Sequence, residues 1–192
     1  MLHYLQRFLH GEPLTSLSIL DLGTGLADIP RAIVAWARRR QFPVSITAVD
    51  RNPHVLRLAA EACRDWPEIR LERHDLQALS YAAQSFDLVL CSLALHHLGS
   101  EDAVALLRRM REITNRGCIV NDLRRNWLAI WSVDLLARTM RSGPIFRKDA
   151  LQSVRAAFTV EELRVMAQEA GWNDSQVKRH HGVFRMVLEG RK

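Results

Sequence analysis

The sequence contains no run of 18 consecutive apolar residues, which argues against a membrane-spanning helix. Its first residues show no basic, apolar, small-residue leader pattern, so export is not expected and the cytoplasm is the expected compartment. Cysteine is sparse: Cys63, Cys91 and Cys118 are scattered singly. That pattern supports neither a disulfide framework nor a zinc knuckle, and no metal site is expected; the three thiols read as small buried apolar groups. Repeats, linkers and low-complexity tracts are also missing from the 192 residues, so one domain over 1–192 is the economical reading.

Acids are outnumbered, with 27 Lys and Arg against 21 Asp and Glu and a formal net charge of +6. The excess raises nucleic acid or an acidic surface as a partner. The competing reading is a basic enzyme whose arginines, spread along the chain, are solvated helix faces. At 48% hydrophobic and 25% charged the composition is that of a globular domain able to bury a core.

What is present is organised around one stretch, Leu17 to Asp28. A short apolar strand ends at Leu22, Gly23-Thr24-Gly25 turns the chain, and a helix carrying Ile29, Ile33, Val34 and Trp36 follows. Two glycines at spacing two allow a sharp turn and close approach of a ligand, and the helix start behind them offers unpaired N–H groups. A dinucleotide fingerprint would have a third glycine at position 28, which is Asp28. With Asp21 it would place two carboxylates toward the ligand, which suits a cationic ammonium or sulfonium better than a pyrophosphate.

Downstream, strands and helices alternate. Strands are expected at Val44–Val49 closed by Asp50, Ile69–Arg73 before Asp75, Phe86–Cys91, and Cys118–Val120 before Asn121-Asp122. Helices are expected from Pro53 to Trp66-Pro67 and from Glu101 to Ile113. The alternation argues a parallel sheet with crossover helices. It breaks at Leu123, where an insertion of about 123–157 carries an apolar helix over Asn126–Met140 with Trp127 and Trp131. Thr159 then caps a helix running to Ala170, and Ser175–His180 with Val183–Leu188 closes the chain as an antiparallel hairpin.

The order of these motifs resembles the class I S-adenosylmethionine-dependent methyltransferases, over about Ser18 to Leu188. The resemblance implies an α/β doubly wound, mostly parallel seven-stranded sheet with an antiparallel C-terminal hairpin, and S-adenosylmethionine as cofactor. It implies that Asp21, Gly23, Thr24 and Gly25 surround the methionine moiety. Asp50 would accept from the ribose hydroxyls with Arg51 beside the adenine, Asp75 and Leu76 would meet the adenine, and Ser92 would lie past the sulfonium. Ala27 replaces a third glycine common in the family, a departure expected to be tolerated because alanine is the next smallest residue.

Methyl transfer to a hydroxyl requires a nucleophile held in line and its proton removed or shared. His96 and His97, just after the fourth strand, are the candidate bases, without preference between them. Asp122 either orients substrate or caps Arg124, and His180 and His181 read as a solvated turn. The apolar insertion reads as a lid or pocket wall, which favours a small hydrophobic or phenolic acceptor and O- or C-methylation. The alternatives are an RNA or protein methyltransferase and a non-catalytic cofactor-binding subunit. The first is weakened by Ser92-Leu93-Ala94-Leu95, where enzymes that methylate nucleic-acid amino groups resemble Asn/Asp-Pro-Pro-Tyr/Phe. A homodimer formed through the insertion is also open.

Overall fold

The computed structural model describes residues 1–11, 15–125, 156–180 and 184–192. The helix expected at Asn126–Met140, most of the insertion around it, and His181 lie outside the described residues.

Seven strands form one sheet in the order β3-β2-β1-β4-β5-β7-β6. They are β1 (Leu17–Leu22), β2 (Val44–Asp50), β3 (Ile69–Arg73), β4 (Phe86–Ser92), β5 (Thr114–Leu123), β6 (Asp174–His180) and β7 (Arg185–Arg191). The first five are parallel, and β7 runs antiparallel to both β5 and β6. The helices are α1 (Leu2–Phe8), α2 (Asp28–Arg38), α3 (Pro53–Ala62), α4 (Ser100–Ile113) and α5 (Val160–Glu169).

Strand alternation splits the core in two. Ile19, Ile46, Leu88, Leu90, Ile119 and Val187 face a cluster completed by Leu5 and Phe8 of α1 and Ile33 and Val34 of α2. Leu20, Leu22, Val89, Cys91, Val120 and Leu188 face the opposite cluster, with Leu107 and Met110 of α4 and Leu163 of α5. Because both faces are covered, the central strands read as nearly continuous apolar runs. Trp172 is fully buried there and donates its indole N–H to Leu107 O at 2.9 Å.

Local chemistry sets the ends. Asn52 caps α3 by accepting from His54 N at 2.9 Å, ahead of Pro53 in the first turn. Thr159 and Glu162 form a reciprocal capping box on α5. Three elements differ from their sequence expectation, one of them β7, which runs Arg185–Arg191 where Val183–Leu188 is expected. α3 ends at Ala62, four residues before Trp66, because a turn with Trp66 N on Cys63 O precedes the extended backbone that Pro67 favours at its neighbour. β5 is longer than its apolar centre, since antiparallel pairing of Gly117 with Arg191 through Leu123 with Arg185 carries its polar ends into the ladder. All three cysteines are buried and free.

Candidate functional site at the carboxyl edge of the sheet

The carboxyl ends of β1 to β5 share one edge, and the strand order reverses between β1 and β4, where an open α/β sheet leaves a crevice. At that point Gly23 and Gly25 both adopt left-handed backbone, with φ of 68° and 57°. A Cβ on Gly23 would lie 2.6 Å from Ala94 Cβ, so glycine there lets the turn meet the segment after β4. Beside Gly25 the space within 4 Å of such a Cβ is empty, which is the cradle a ligand needs. Thr24 N donates to Val49 O at 2.9 Å and ties the turn to β2.

Asp21 is buried, and its Oδ1, like Thr24 Oγ1, has no hydrogen-bond partner among the described residues. Burial pushes the Asp21 carboxyl up to about 7. Orphaned buried polar atoms cost free energy, and here they cluster where a cationic ligand group would complete them. Asp28 corrects a sequence expectation: its side chain is 77% exposed and ion-paired with Arg31, so it faces solvent from the first turn of α2 rather than the turn's ligand.

Asp50 closes β2 half-buried. Its Oδ2 accepts from Gly25 N at 3.1 Å and its Oδ1 from Asn52 N at 2.9 Å. A carboxylate has about four acceptor positions, so about two remain for a diol. Arg51 is exposed, and its carbonyl accepts from Arg73 Nε at 3.3 Å. Asp75 is exposed and accepts from Gln77 N at 3.0 Å, capping a single 3-10 turn, Leu76–Ala78, whose Leu76 packs against the core. Ser92 ends β4, its Oγ accepting from Asn121 Nδ2 at 3.1 Å.

The β4–β5 side of the edge holds a buried pair. His96 Nδ1 meets Asp122 Oδ1 at 2.6 Å, His96 N donates to Asp122 Oδ2 at 3.0 Å, and Leu123 N donates to Asp122 Oδ1 at 2.6 Å. His96 is 6% exposed and Asp122 1%. An ionised Asp122 can only accept, so the Nδ1 proton is on His96 and Nε2 is left as the basic nitrogen. No partner for Nε2 exists among the described residues. Asp122 therefore does not cap Arg124, whose Nε is buried without a partner among the described residues. His97 is exposed, its ring 4.2 Å from that of His96; partial burial and then the neighbouring His96 lower its pKa. Burial, then the charges of Asp122 and Asp21, holds the Cys91 thiol well above its usual range, and its strand, β4, lies between the β1 and β5 that carry the two carboxylates.

Sequence reasoning passed over Asn121 and the backbone of Leu93. Leu93 has φ of 56°, is 37% exposed, and donates its N–H to Asn121 O at 2.9 Å. A left-handed leucine is a strained, site-associated feature with no signature in composition. The His96–Asp122 pair had a readable signal: a histidine after one strand and an aspartate ending its parallel neighbour are placed side by side by the sheet.

The family model described as methyltransferase domain matches residues 19–117, just over half of the chain. The chain belongs to the class I S-adenosylmethionine-dependent methyltransferases. No curated protein matches it. Among solved structures it is similar to a Bordetella parapertussis protein described as a possible exported protein, at TM-score 0.74 and 18% identity over 99% of this chain and 66% of that one. A Nostoc punctiforme protein with a provisional O-methyltransferase assignment follows at 0.69 and 22%, over 98% and 55%. A Methanosarcina mazei S-adenosylmethionine-dependent methyltransferase matches at 0.69 and 17%, over 96% of each chain. The chain thus spans just under two thirds and about half of the first two proteins. In this methyltransferase the orphaned Asp21 oxygen, the open space at Gly25 and the unused acceptor positions of Asp50 fit S-adenosylmethionine, the cofactor of the family.

Proposed function

We propose that this methyltransferase alkylates a small hydrophobic phenol, at oxygen or at an activated ring carbon, with His96 as the base. The observation that carries the reading is the His96–Asp122 pair: a buried imidazole, fixed in one tautomer, with its basic nitrogen unpartnered at the edge where β4 and β5 end. When bound, S-adenosylmethionine supplies a methyl group activated by positive sulfur. His96 Nε2 takes the phenolic proton, and Asp122 holds the ring and stabilises the imidazolium that forms. Asp50 holds a diol through its remaining acceptor positions, and Asp21 with Thr24 meets a cationic group. His97 packs against His96 and limits its rotation, which makes it a positioning residue. Leu26 and Leu93, 46% and 37% exposed at the same edge, suit an apolar ring better than a charged acceptor.

The experiment is transfer of labelled methyl to a panel of phenols, beside RNA and protein acceptors, with S-adenosylhomocysteine binding measured in parallel. Transfer to phenols that His96→Gln abolishes without changing cofactor affinity supports the assignment. Cofactor binding together with transfer only to RNA or protein overturns it.

A further inference from the structure

A second feature lies at the opposite end of the sheet. α1 runs antiparallel to the outermost strand: Tyr4 packs on His180 with ring centroids 6.0 Å apart, Arg7 pairs with Glu189, and Phe8 O accepts from Arg191 Nη2 at 2.8 Å. Between helix and strand lies a groove of about 590 Å³ lined by His3, Tyr4, Arg7, Lys178, Arg179 and His180, with no acid and no aliphatic residue among them. Glu189 answers Arg7 and, at 3.9 Å, Lys178, whereas Arg179 has no ion-pair partner among the described residues. The groove is therefore net cationic in a chain of net charge +6.

The groove opens toward the catalytic edge. β6 is parallel to β5, and His180 is level with Leu123 through their shared partner Arg185, so the cationic row ends two strands from Asp122. Phe184, 36% exposed, stands immediately before Arg185 at that level. Cationic groups beside an edge of the sheet that also exposes an aromatic side chain match a phospholipid headgroup layer over acyl chains. Stacked RNA bases fit less well, because Arg7 already covers the Tyr4 ring at 5.3 Å while His3 and His180 meet it edge-on. An acidic protein helix would want an apolar anchor, and the lining has none.

We propose that the α1–β6 corner docks on an anionic lipid surface and presents the carboxyl edge of the sheet to the bilayer. Docking stands on the groove alone; that a hydrophobic phenol is drawn from the bilayer rests on the functional reading above.

Vesicle co-sedimentation of the 192-residue chain tests it, using equal parts phosphatidylcholine and phosphatidylglycerol against phosphatidylcholine alone. Binding is expected only to the anionic vesicles and falls as salt is raised. The double variant Lys178→Glu, Arg179→Glu, on an exposed edge strand, is expected to lower the partition coefficient by about 30-fold or more, with S-adenosylhomocysteine affinity unchanged. Equal binding to neutral vesicles, an unaltered partition in the double variant, or salt-sensitive binding of single-stranded RNA without vesicle binding would each overturn the proposal. None of these outcomes depends on phenol turnover, so docking and the functional reading fail separately.

Discussion

Two carboxylates at the same edge of the sheet have opposite circumstances. Asp21 at the end of β1 and Asp122 at the end of β5 are both buried and both flank Cys91. Asp122 is engaged at both oxygens by two backbone N–H groups and an imidazole, all at 3.0 Å or less. Asp21 keeps an oxygen with no partner among the described residues, and burial lifts its carboxyl to about 7. The β5 end is thus finished by the protein itself, while the β1 end would be finished by a bound ligand. A buried charge answered from within organises a neighbour, and one left unanswered is addressed to a ligand.

The largest effects are expected on the finished side. Replacing the proposed base, His96→Gln, is expected to lower kcat by about 10²- to 10⁴-fold, with S-adenosylhomocysteine affinity within about twofold of the parent by calorimetry. Asp122→Asn keeps the shape but presents an amide that can offer N–H to Nδ1 and favour the wrong tautomer. A kcat loss of about 10- to 10³-fold is expected, together with a changed pH–rate profile, which a merely structural role for Asp122 would not produce. If Asp122→Asn alters stability but leaves kcat and its pH dependence alone, the two carboxylates do not differ in the way described.

The sheet was legible because its signal is repeated. The central parallel strands announce themselves as apolar runs with a turn or carboxylate after them, and Asp50, Asp75 and Ser92 all lie at the edge that alternation requires. The glycine turn was legible for a similar reason, since few residues tolerate the backbone at Gly23 and Gly25. What escaped depended on pairing across the sheet. Nothing local to Asp122 says that it faces His96 rather than Arg124, because that contact joins residues 26 apart through the β4–β5 register. The solvent-facing turn of Asp28 escaped too: position in a motif gives spacing, while the helix phase decides direction. The ends of β5 were missed because ladder pairing, with β4 at Thr114 and with β7 at Leu123, rather than apolar content, defines them.

On the unfinished side the expected signature is a pH dependence. The Asp21 carboxyl is raised in the folded chain above its ordinary value of 3.8, so the native state binds the extra proton between about pH 4 and about pH 7. Stability before ligand is added should therefore fall as pH rises through that window, by a few kcal/mol at most, and level off above it. Asp21→Asn should flatten that slope in urea titrations at stepped pH. A cationic ligand group favours the ionised carboxylate, so S-adenosylhomocysteine binding near pH 6 should release about one proton, measurable by calorimetry in buffers of different ionisation enthalpy. Binding with no proton release would mean that Asp21 does not meet the cationic group.

The smallest effect concerns the turn between the two glycines and α2. Ala27 stands where the family commonly has a third glycine, and it is fully buried with φ of 57° and ψ of 33°. Left-handed backbone costs an L-residue about 1–2 kcal/mol, while glycine gives back about 0.5–1 kcal/mol in chain entropy on folding. Ala27→Gly is therefore expected to stabilise the chain by up to about 1 kcal/mol, a rise in Tm of about 2–4 °C for a chain of this size. Removing a methyl from a fully packed site works against that gain, and the sign of the shift decides between the two. A lower Tm would mean that the Ala27 methyl contributes more to packing under α2 than its backbone costs in strain, and that alanine is there for the core rather than merely tolerated by the turn.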